Sequence, residues 1–239
     1  MYNFSIKPLD NLSFAEKLNL LSDLRVMNIE LYDNIDGVKF SDMTGAQVQS
    51  ARDALIDAGI RLICADVAFG EDMKLAARNL MALGCKYIKV CVPKTASADE
   101  IRAYIDAQAK IANAFGIGIA IENNADTALS YDEDITKIIK DTSALMIFNP
   151  YEFVRLQRHP FFHMFYGSKL KNRVIALRAN DGIYSTQERK PLAHGNSEVK
   201  ETASILLARS FDGYFSFVQY ENEDIAKWIS DFKGLLKAM

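Results

Sequence analysis

The chain has 239 residues, of which 49% are hydrophobic and 25% are charged, a composition typical of globular proteins and unlike that of disordered ones. Its net charge of -3 argues against nucleic-acid binding, because proteins that neutralise phosphates usually carry a basic face. No apolar run is long enough to span a bilayer, and the amino terminus lacks the layout of a signal peptide, so we expect a cytoplasmic protein with no membrane partner.

Eight short apolar segments recur along the chain, and helical periodicity follows each of them. In chain order the predicted strands are residues 2–6, 28–32, 61–66, 86–92, 116–122, 144–148, 173–178 and 213–218. Apolar strands that alternate with helices predict a closed parallel sheet, that is, one α/β domain over residues 1–239 folded as a single (β/α)8 TIM barrel. An open doubly wound sheet is the alternative, but no GxGxxG or GxxxxGK[ST] motif supports its nucleotide-binding forms.

Local signals predict where several helices begin and end. Capping boxes, which satisfy two free amides at a helix start, are expected for Ser13 with Glu16, Thr44 with Gln47, Ser97 with Glu100 and Ser130 with Glu133. Gly59, Gly84 and Gly116 are expected to end helices in the left-handed conformation just before the next strand.

Barrel chemistry resides at the carboxyl ends of the strands, which all open on one mouth. Polar residues at these predicted ends are Lys7, Asp66, Lys89, Glu122, Asn149, Arg178 and Gln219. The longest connection, residues 179–195, follows the seventh strand and is interpreted as a lid or substrate loop.

Glu122 ends the apolar fifth strand, where a carboxylate is costly unless it is paired, hydrogen-bonded or bound to a metal. Lys89, inside the neighbouring fourth strand, is one candidate partner, and an ion pair between the two is the simpler interpretation. An unpaired buried Lys89 would instead have a depressed pKa, suited to base or Schiff-base chemistry. In a functional interpretation Glu122 is a general base or a metal ligand.

The three histidines form no HxH or HExxH cluster. His159 and His163 are four residues apart beside Pro160, within an aromatic segment, residues 148–166. For this segment a core position, a lid and an interface between two copies of the chain are all open.

His194 stands apart, because it precedes a predicted helix start. Free backbone amides there, together with Arg189 or Lys190, are candidates to bind a phosphate or carboxylate of a substrate. For the two basic residues a solvated loop is the alternative.

Five segments, in this order and spacing, resemble the xylose isomerase-like TIM barrels, which include sugar-phosphate isomerases and epimerases and the type-two apurinic endonucleases: NIELYDN, GIGIAIENN, ALMIFNPYEF, RVIALRANDG followed by KPLAHGNSEV, and FDGYFSFVQYE. The resemblance covers nearly the whole chain. It implies a divalent metal held by a strand-five Glu, a strand-six Asp with a His three residues on, a strand-seven His and a strand-eight Glu. Only Glu122 matches; the other positions fall on Asn149 and Glu152, near Leu177 or Arg178, and on Val218 beside Gln219.

One Glu and one amide would hold a divalent ion weakly, so no cofactor is expected. We expect the guanidinium of Arg178, or the ammonium of Lys89, to take the place of the metal charge beside Glu122. A rearranged metal site built from Glu122, Glu152, Asp181 and His194 is the alternative. The DNA-repair branch is disfavoured, because its proteins need a histidine-rich metal cluster and a basic face.

The resemblance implies an enzyme acting on a small sugar, sugar acid or sugar phosphate. Glu122 would move a proton next to a carbonyl group, and Arg178 or Lys89 would stabilise the enediolate. The residues expected to bind substrate are Lys7, Asp66, Asn149, Glu152, Asp181, Arg189, Lys190, His194 and Gln219. The alternative is a non-catalytic barrel that binds a sugar-like ligand or a partner protein after losing the metal site.

Overall fold

The computed structural model describes residues 2–166 and 170–239. In this part of the chain eight parallel strands form a closed barrel. They are β1 (Asn3–Lys7), β2 (Asn28–Leu31), β3 (Arg61–Ala68), β4 (Tyr87–Cys91), β5 (Gly118–Glu122), β6 (Leu145–Phe148), β7 (Val174–Arg178) and β8 (Tyr214–Val218).

An α-helix follows each strand in the described part of the chain. These helices are α1 (Phe14–Asp23), α2 (Gly45–Asp57), α3 (Met73–Ala82), α4 (Ala98–Asn113), α5 (Asp132–Lys140), α6 (Pro150–Arg155), α7 (Val199–Leu207) and α8 (Ile225–Lys237). None of the helices in residues 2–166 and 170–239 combines the length and apolarity needed to cross a membrane.

The first and last strands close the sheet. β1 pairs with β8 in parallel from Asn3 opposite Tyr214 to Lys7 opposite Val218, and it pairs with β2 through Ile6. The closed (β/α)8 barrel is therefore confirmed, and the open-sheet alternative is wrong because β1 has a partner on both sides.

Three of the four predicted capping boxes form, at Ser13, Thr44 and Ser97. The fourth, at Ser130, is wrong. Residues Ala128–Ser130 form a 3-10 turn, so α5 starts one residue later than the motif suggests and its N-cap is Tyr131, which makes no side-chain capping bond.

The three glycines predicted to end helices have left-handed backbones. The φ angles are 64° at Gly59, 78° at Gly84 and 74° at Gly116, a region that costs a residue with a Cβ about 1–2 kcal/mol. Sequence signals at these helix ends are confirmed.

Inside the barrel a charged layer lies on an apolar one. Side chains alternate between the two faces of a strand, so a residue two positions before an inward-facing one also points inward. Two residues before Asp66, Glu122 and Arg178 lie Cys64, Ala120 and Ala176, all buried in one apolar cluster. The apolar layer seals the barrel below, which leaves the charged ends to face the mouth.

Candidate active site

Six charged side chains from six strands form a continuous chain of ion pairs in the upper barrel. We refer to them as the charged network; in order of contact they are Glu30, Arg178, Glu122, Lys89, Asp66 and Lys7. Three are cations and three are carboxylates, so the fully ionised network is neutral. Charges buried to this degree are tolerated only when each has an opposite charge beside it.

Arg178, at the end of β7, is the centre of the charged network and is fully buried. Its Nε donates to Oε1 of Glu122 at 3.1 Å and its Nη2 to Oε2 at 2.9 Å, the two-pronged geometry that suits a guanidinium and a carboxylate. Its Nη1 donates to Oε2 of Glu30 at 2.7 Å and to the hydroxyl of Ser216. Burial alone would lower the pKa of Arg178, but the two carboxylates hold it well above its usual value.

Two lysines share the carboxylate of Asp66. Nζ of Lys89 lies 3.0 Å from Oδ2 of Asp66 and 3.3 Å from Oε2 of Glu122. Nζ of Lys7 lies 2.5 Å from the same Asp66 oxygen and 3.9 Å from the centroid of the Tyr32 ring. The structure therefore gives Lys89 two carboxylate partners and Lys7 one.

This difference in partners decides the direction in which the pKa of each lysine is shifted. Burial alone would lower the pKa of Lys89, but Asp66 and Glu122 hold it well above its usual value. For Lys7 burial prevails over Asp66, with Lys89 and Arg178 acting in the same direction, and the pKa is lowered. The lysine with the lowered pKa is therefore Lys7 and not Lys89.

Glu122 accepts four hydrogen bonds, two from Arg178, one from Lys89 and one from Asn149, whose Nδ2 is 3.1 Å from Oε1. Burial alone would raise the pKa of Glu122, but Arg178 and Lys89 hold it well below its usual range. Such a carboxylate is a weak base, because proton transfer is most efficient when the pKa is close to the working pH.

Glu152, in the first turn of α6, is a second carboxylate at the mouth. Its Oε2 accepts from the amide of Ala125 at 2.9 Å and from Nη1 of Arg155 at 2.8 Å. Within residues 2–166 and 170–239 no hydrogen-bond donor contacts its Oε1. Burial raises the pKa of Glu152 above its usual value despite these two partners. Of the two mouth carboxylates, Glu152 is the better suited to proton transfer.

A cavity of about 270 Å³ opens at the mouth above the charged network. Its polar lining includes Lys7, Lys89, Glu122, Asn149, Glu152 and Arg178, with the rings of Tyr32 and Tyr220. A few converging polar groups in a concave site of this size suit a small polar ligand. The structure thus gathers six of the predicted site residues in one cavity, with Asp66 behind the two lysines.

The connection after β7, residues 179–198, is organised around Asp181; we name it the β7 loop. Asp181–Gly182 pairs antiparallel with Arg189–Lys190. Oδ1 of Asp181 accepts from the amides of Gly182 at 2.8 Å and Ser197 at 3.0 Å, and Oδ2 accepts from Gly195 at 2.9 Å. A Cβ at Gly195 would collide with this carboxylate, so the close approach requires glycine. The amides predicted to receive a substrate anion hold Asp181 instead.

The two basic residues of the β7 loop have carboxylate partners outside the cavity. Arg189 binds Glu223 through Nε at 2.8 Å and Nη2 at 3.1 Å, and its guanidinium lies 3.6 Å from the ring centroid of Tyr220. Lys190 pairs with Glu188 at 3.1 Å. The Arg189 contacts attach the loop to the β8 side of the mouth, whereas the Lys190 pair lies within the loop, and neither basic residue lines the cavity.

Two further predicted site residues are also outside the cavity lining. His194 is exposed on the β7 loop. Gln219, just after β8, uses Oε1 to accept from the backbone amide of Leu9 at 3.1 Å, a bond that joins the first and last strand ends.

The aromatic segment divides between core and surface. Phe148 and Phe153 are buried, whereas Phe162 is exposed. His163 lies 3.6 Å from Asp132 and His159 lies 3.4 Å from Glu198, so the two histidines have different partners. They do not form a site together.

The donor set beside Glu122 does not fit a divalent metal. Both carboxylate oxygens are engaged by Arg178, and Oδ1 of Asn149 accepts from Nδ2 of Asn180 at 3.2 Å. In the described ranges no three His, Cys, Asp or Glu side chains gather closely enough to ligate a metal, so Asp181 and His194 do not join Glu122 in a rearranged site. A metal ion here would have to sit beside a fixed guanidinium of the same charge sign.

The barrel confirms the predicted resemblance to the xylose isomerase-like TIM barrels at the level of fold. The solved structures that it matches include a D-tagatose 3-epimerase-like protein, with a TM-score of 0.80 and 15% identity over 99% of this chain and 97% of the other. A xylose isomerase-like TIM barrel protein from Mycobacterium smegmatis in complex with magnesium matches with a TM-score of 0.74 and 14% identity, over 99% of this chain and 96% of the other. A D-psicose 3-epimerase in the presence of D-fructose matches with a TM-score of 0.68 and 14% identity, over 99% of this chain and 97% of the other. At these identities the likeness shows the fold alone, and no protein-family model and no curated protein matches the chain.

Several residues of the charged network and the cavity are not among the site residues predicted from the sequence. Glu30 is the second carboxylate that pairs with Arg178, and the hydroxyl of Ser5 donates to Oε1 of Glu30 at 2.8 Å. A signal was present, since Glu30 is a charged residue inside an apolar strand, as Lys89 is. Tyr32 and Tyr220 carried no such signal, because aromatic residues near strand ends are most often part of the core.

Proposed function

We propose that the protein is an isomerase or epimerase of small sugars that moves a proton at a carbon next to a carbonyl group, with Glu152 as the proton-transferring carboxylate. The observation that carries this proposal is the position of Glu152, which lines the cavity and has a pKa raised by burial. A raised carboxyl pKa is the usual adaptation of a general base that works near neutral pH.

Lys89 supplies the charge that the reaction needs. Removal of a proton next to a carbonyl leaves negative charge on the carbonyl oxygen, and a fixed cation stabilises it without further reorganisation. Lys89 lines the cavity and its two carboxylate partners keep it protonated. In this proposal the ammonium takes the electrophilic role.

Glu122 then acts as a positioning residue and not as the base. Three of its four hydrogen bonds fix Arg178 and Lys89, and its lowered pKa keeps it ionised. We therefore propose catalysis that requires no added divalent ion, because the guanidinium provides the positive charge beside this carboxylate.

The β7 loop favours an uncharged sugar over a sugar phosphate as substrate. The amides that would bind a phosphate already bind Asp181, and Arg189 is paired with Glu223. A phosphate at this position would meet the carboxylate of Asp181, a charge of the same sign.

Exchange of substrate protons with solvent tests the proposal without knowledge of the product. The protein is incubated with D-fructose, D-tagatose or D-psicose in D₂O with a chelator, and deuterium entry next to the carbonyl is followed by NMR. We expect exchange in the wild type and a loss of about 10²- to 10⁴-fold in Glu152→Gln. Glu133→Gln, at an exposed position on α5, is the matched control and should exchange normally. Exchange retained in Glu152→Gln would refute the role of Glu152.

A non-catalytic sugar-binding barrel is the second candidate. It is favoured by one observation, the complete internal pairing of the charged network. A rise in melting temperature with one of these ketoses, without any deuterium exchange, would support binding alone and contradict the enzyme.

A further inference from the structure

We propose that Lys7 is a nucleophile that condenses with the carbonyl carbon of the open-chain sugar to form a protonated imine. The imine, in place of the free carbonyl group, would then accept the electrons released when the neighbouring carbon loses its proton. This chemistry rests on the proposed proton transfer, but it concerns another residue and a covalent bond.

The position of Lys7 is the first support. It is the last residue of β1, its side chain is only 4% exposed, and it lines the mouth cavity. Asp66, at 2.5 Å, and the face of the Tyr32 ring, at 3.9 Å, fix its amine at the cavity wall. A nucleophile held in this way loses little further entropy when it reacts with a bound carbonyl group, because its position is already fixed.

The sharing of Asp66 is the second support. A lysine is nucleophilic only as the free amine, so its proton must leave at modest cost. When Lys7 loses its proton, Lys89 still lies 3.0 Å from Asp66, and that carboxylate keeps a cationic partner. Burial and the two nearby cations already lower the pKa of Lys7. Deprotonation of Lys89 would instead remove a cationic partner from two carboxylates, Asp66 and Glu122, and these hold the pKa of Lys89 above its usual value.

The proposed step balances without an external reagent. The Lys7 ammonium releases a proton to water, the Nζ lone pair forms the C–N bond, the carbonyl π electrons move to oxygen, and a proton passes from the nitrogen to this oxygen to give a neutral carbinolamine. Water returns a proton to the hydroxyl group, the nitrogen lone pair forms the C=N bond as the C–O bond breaks, and a water molecule leaves. Ammonium and carbonyl thus give a protonated imine and one water, with the charge unchanged.

Epimerisation follows from the same intermediate. Glu152, on the wall of the same cavity, removes the proton from the neighbouring carbon, and the C–H electrons form a C=C bond while the C=N π electrons become the nitrogen lone pair. A proton from solvent water adds to the opposite face of this enamine and Glu152 releases its proton to solvent. Hydrolysis of the imine by water then releases the epimer and restores Lys7.

Reductive trapping tests the proposal directly. The wild-type protein is incubated with D-tagatose and sodium cyanoborohydride, whose hydride reduces an imine to a stable secondary amine, and peptide mass spectrometry locates the adduct. We expect the adduct at Lys7. Lys17 is the matched internal control, because it is also buried with a lowered pKa but does not line the mouth cavity. Lys110, on the surface of α4, reports non-specific glycation.

Lys7→Arg keeps the cation beside Asp66 and should give no adduct at this peptide, with circular dichroism confirming that the variant is folded. An adduct confined to exposed lysines such as Lys110, with none at Lys7 in the wild type, would overturn the proposal whatever the variant does. Deuterium exchange without an adduct at Lys7 would overturn the imine and leave the proposed function standing. An adduct at Lys7 without exchange would support the imine and contradict the proposed function.

Discussion

The charged network and the β7 loop each place a protein side chain where a charged ligand could bind, a cation in the first case and an anion in the second. In the charged network the family resemblance implies a metal cation beside the carboxylate of Glu122, and the guanidinium of Arg178 lies there, as one of the two cations expected from the sequence. In the β7 loop a group of backbone amides is expected to bind a substrate anion, and the carboxylate of Asp181 lies there. In both regions a side chain of the protein supplies a charge that a bound ion or substrate would otherwise bring.

The two regions differ in what removal of that charge would expose. Arg178 is buried between two carboxylates from distant strands, so its loss leaves negative charge inside the barrel. Asp181 is also buried but binds neutral backbone amides, so its loss leaves unpaired donors and no uncompensated charge. The network should therefore be the more sensitive region, and the following three predictions test this ranking.

Arg178→Met should have the largest effect. It leaves Glu30 and Glu122 buried without their guanidinium, and breaking such a pair typically costs about 3–5 kcal/mol. Urea unfolding followed by circular dichroism measures the loss. Arg209→Met, at an exposed position after α7, is the matched control and should change stability little. Equal stability of the two variants would show that the network contributes no more than a surface pair.

Asp181→Asn should have an intermediate effect. The amide keeps one acceptor but turns a donor towards the backbone amides of the β7 loop, and lost bonds to a charged group cost about 1.5–3 kcal/mol. We expect a lower melting temperature and faster proteolysis within residues 182–195. Asp231→Asn, in an exposed pair with Lys227 on α8, should show neither change. A loop that resists proteolysis in Asp181→Asn would contradict the anchoring role.

The smallest measured change is expected in the slope of stability against pH, which Glu122→Gln should alter. The pKa of Glu122 in the folded protein lies well below its ordinary value of 4.5, so its contribution to stability is complete above that value and is lost as the pH falls below it. The free energy of unfolding of the wild type should therefore fall more steeply on acidification than that of Glu122→Gln, by up to about 1.4 kcal/mol per pH unit. Denaturant titrations between about pH 5 and about pH 3 measure both slopes, and parallel slopes would exclude the ionised pair.

Much of the fold could be predicted because its signals are local. Apolar segments, capping boxes and helix-ending glycines each depend on residues a few positions apart, and they locate the strands to within one or two residues. The failed capping box at Ser130 shows where local reading stops. Thr127 caps a 3-10 turn that includes Ser130, so α5 starts only after this turn.

Most residues of the candidate site could be predicted from the sequence, but not all of the ion pairs that they form. Arg178 and Lys89 were both candidate partners of Glu122, and both contact it. The shared use of Asp66 by Lys7 and Lys89 could not be foreseen, because β1 and β3 do not pair and meet only across the barrel interior.

The sequence by itself determined the alternation of strands and helices, the closure of the barrel and the presence of a polar mouth without the usual metal ligands. Only the tertiary structure decided which lysine has a lowered pKa, which of the two mouth carboxylates has an oxygen that no donor contacts within the described residues, and that Asp181 occupies the amides of the β7 loop. The physical reason is distance along the chain. Helix and strand signals act between near neighbours, whereas pKa values and ion pairs depend on groups that only the closed barrel brings within a few ångströms.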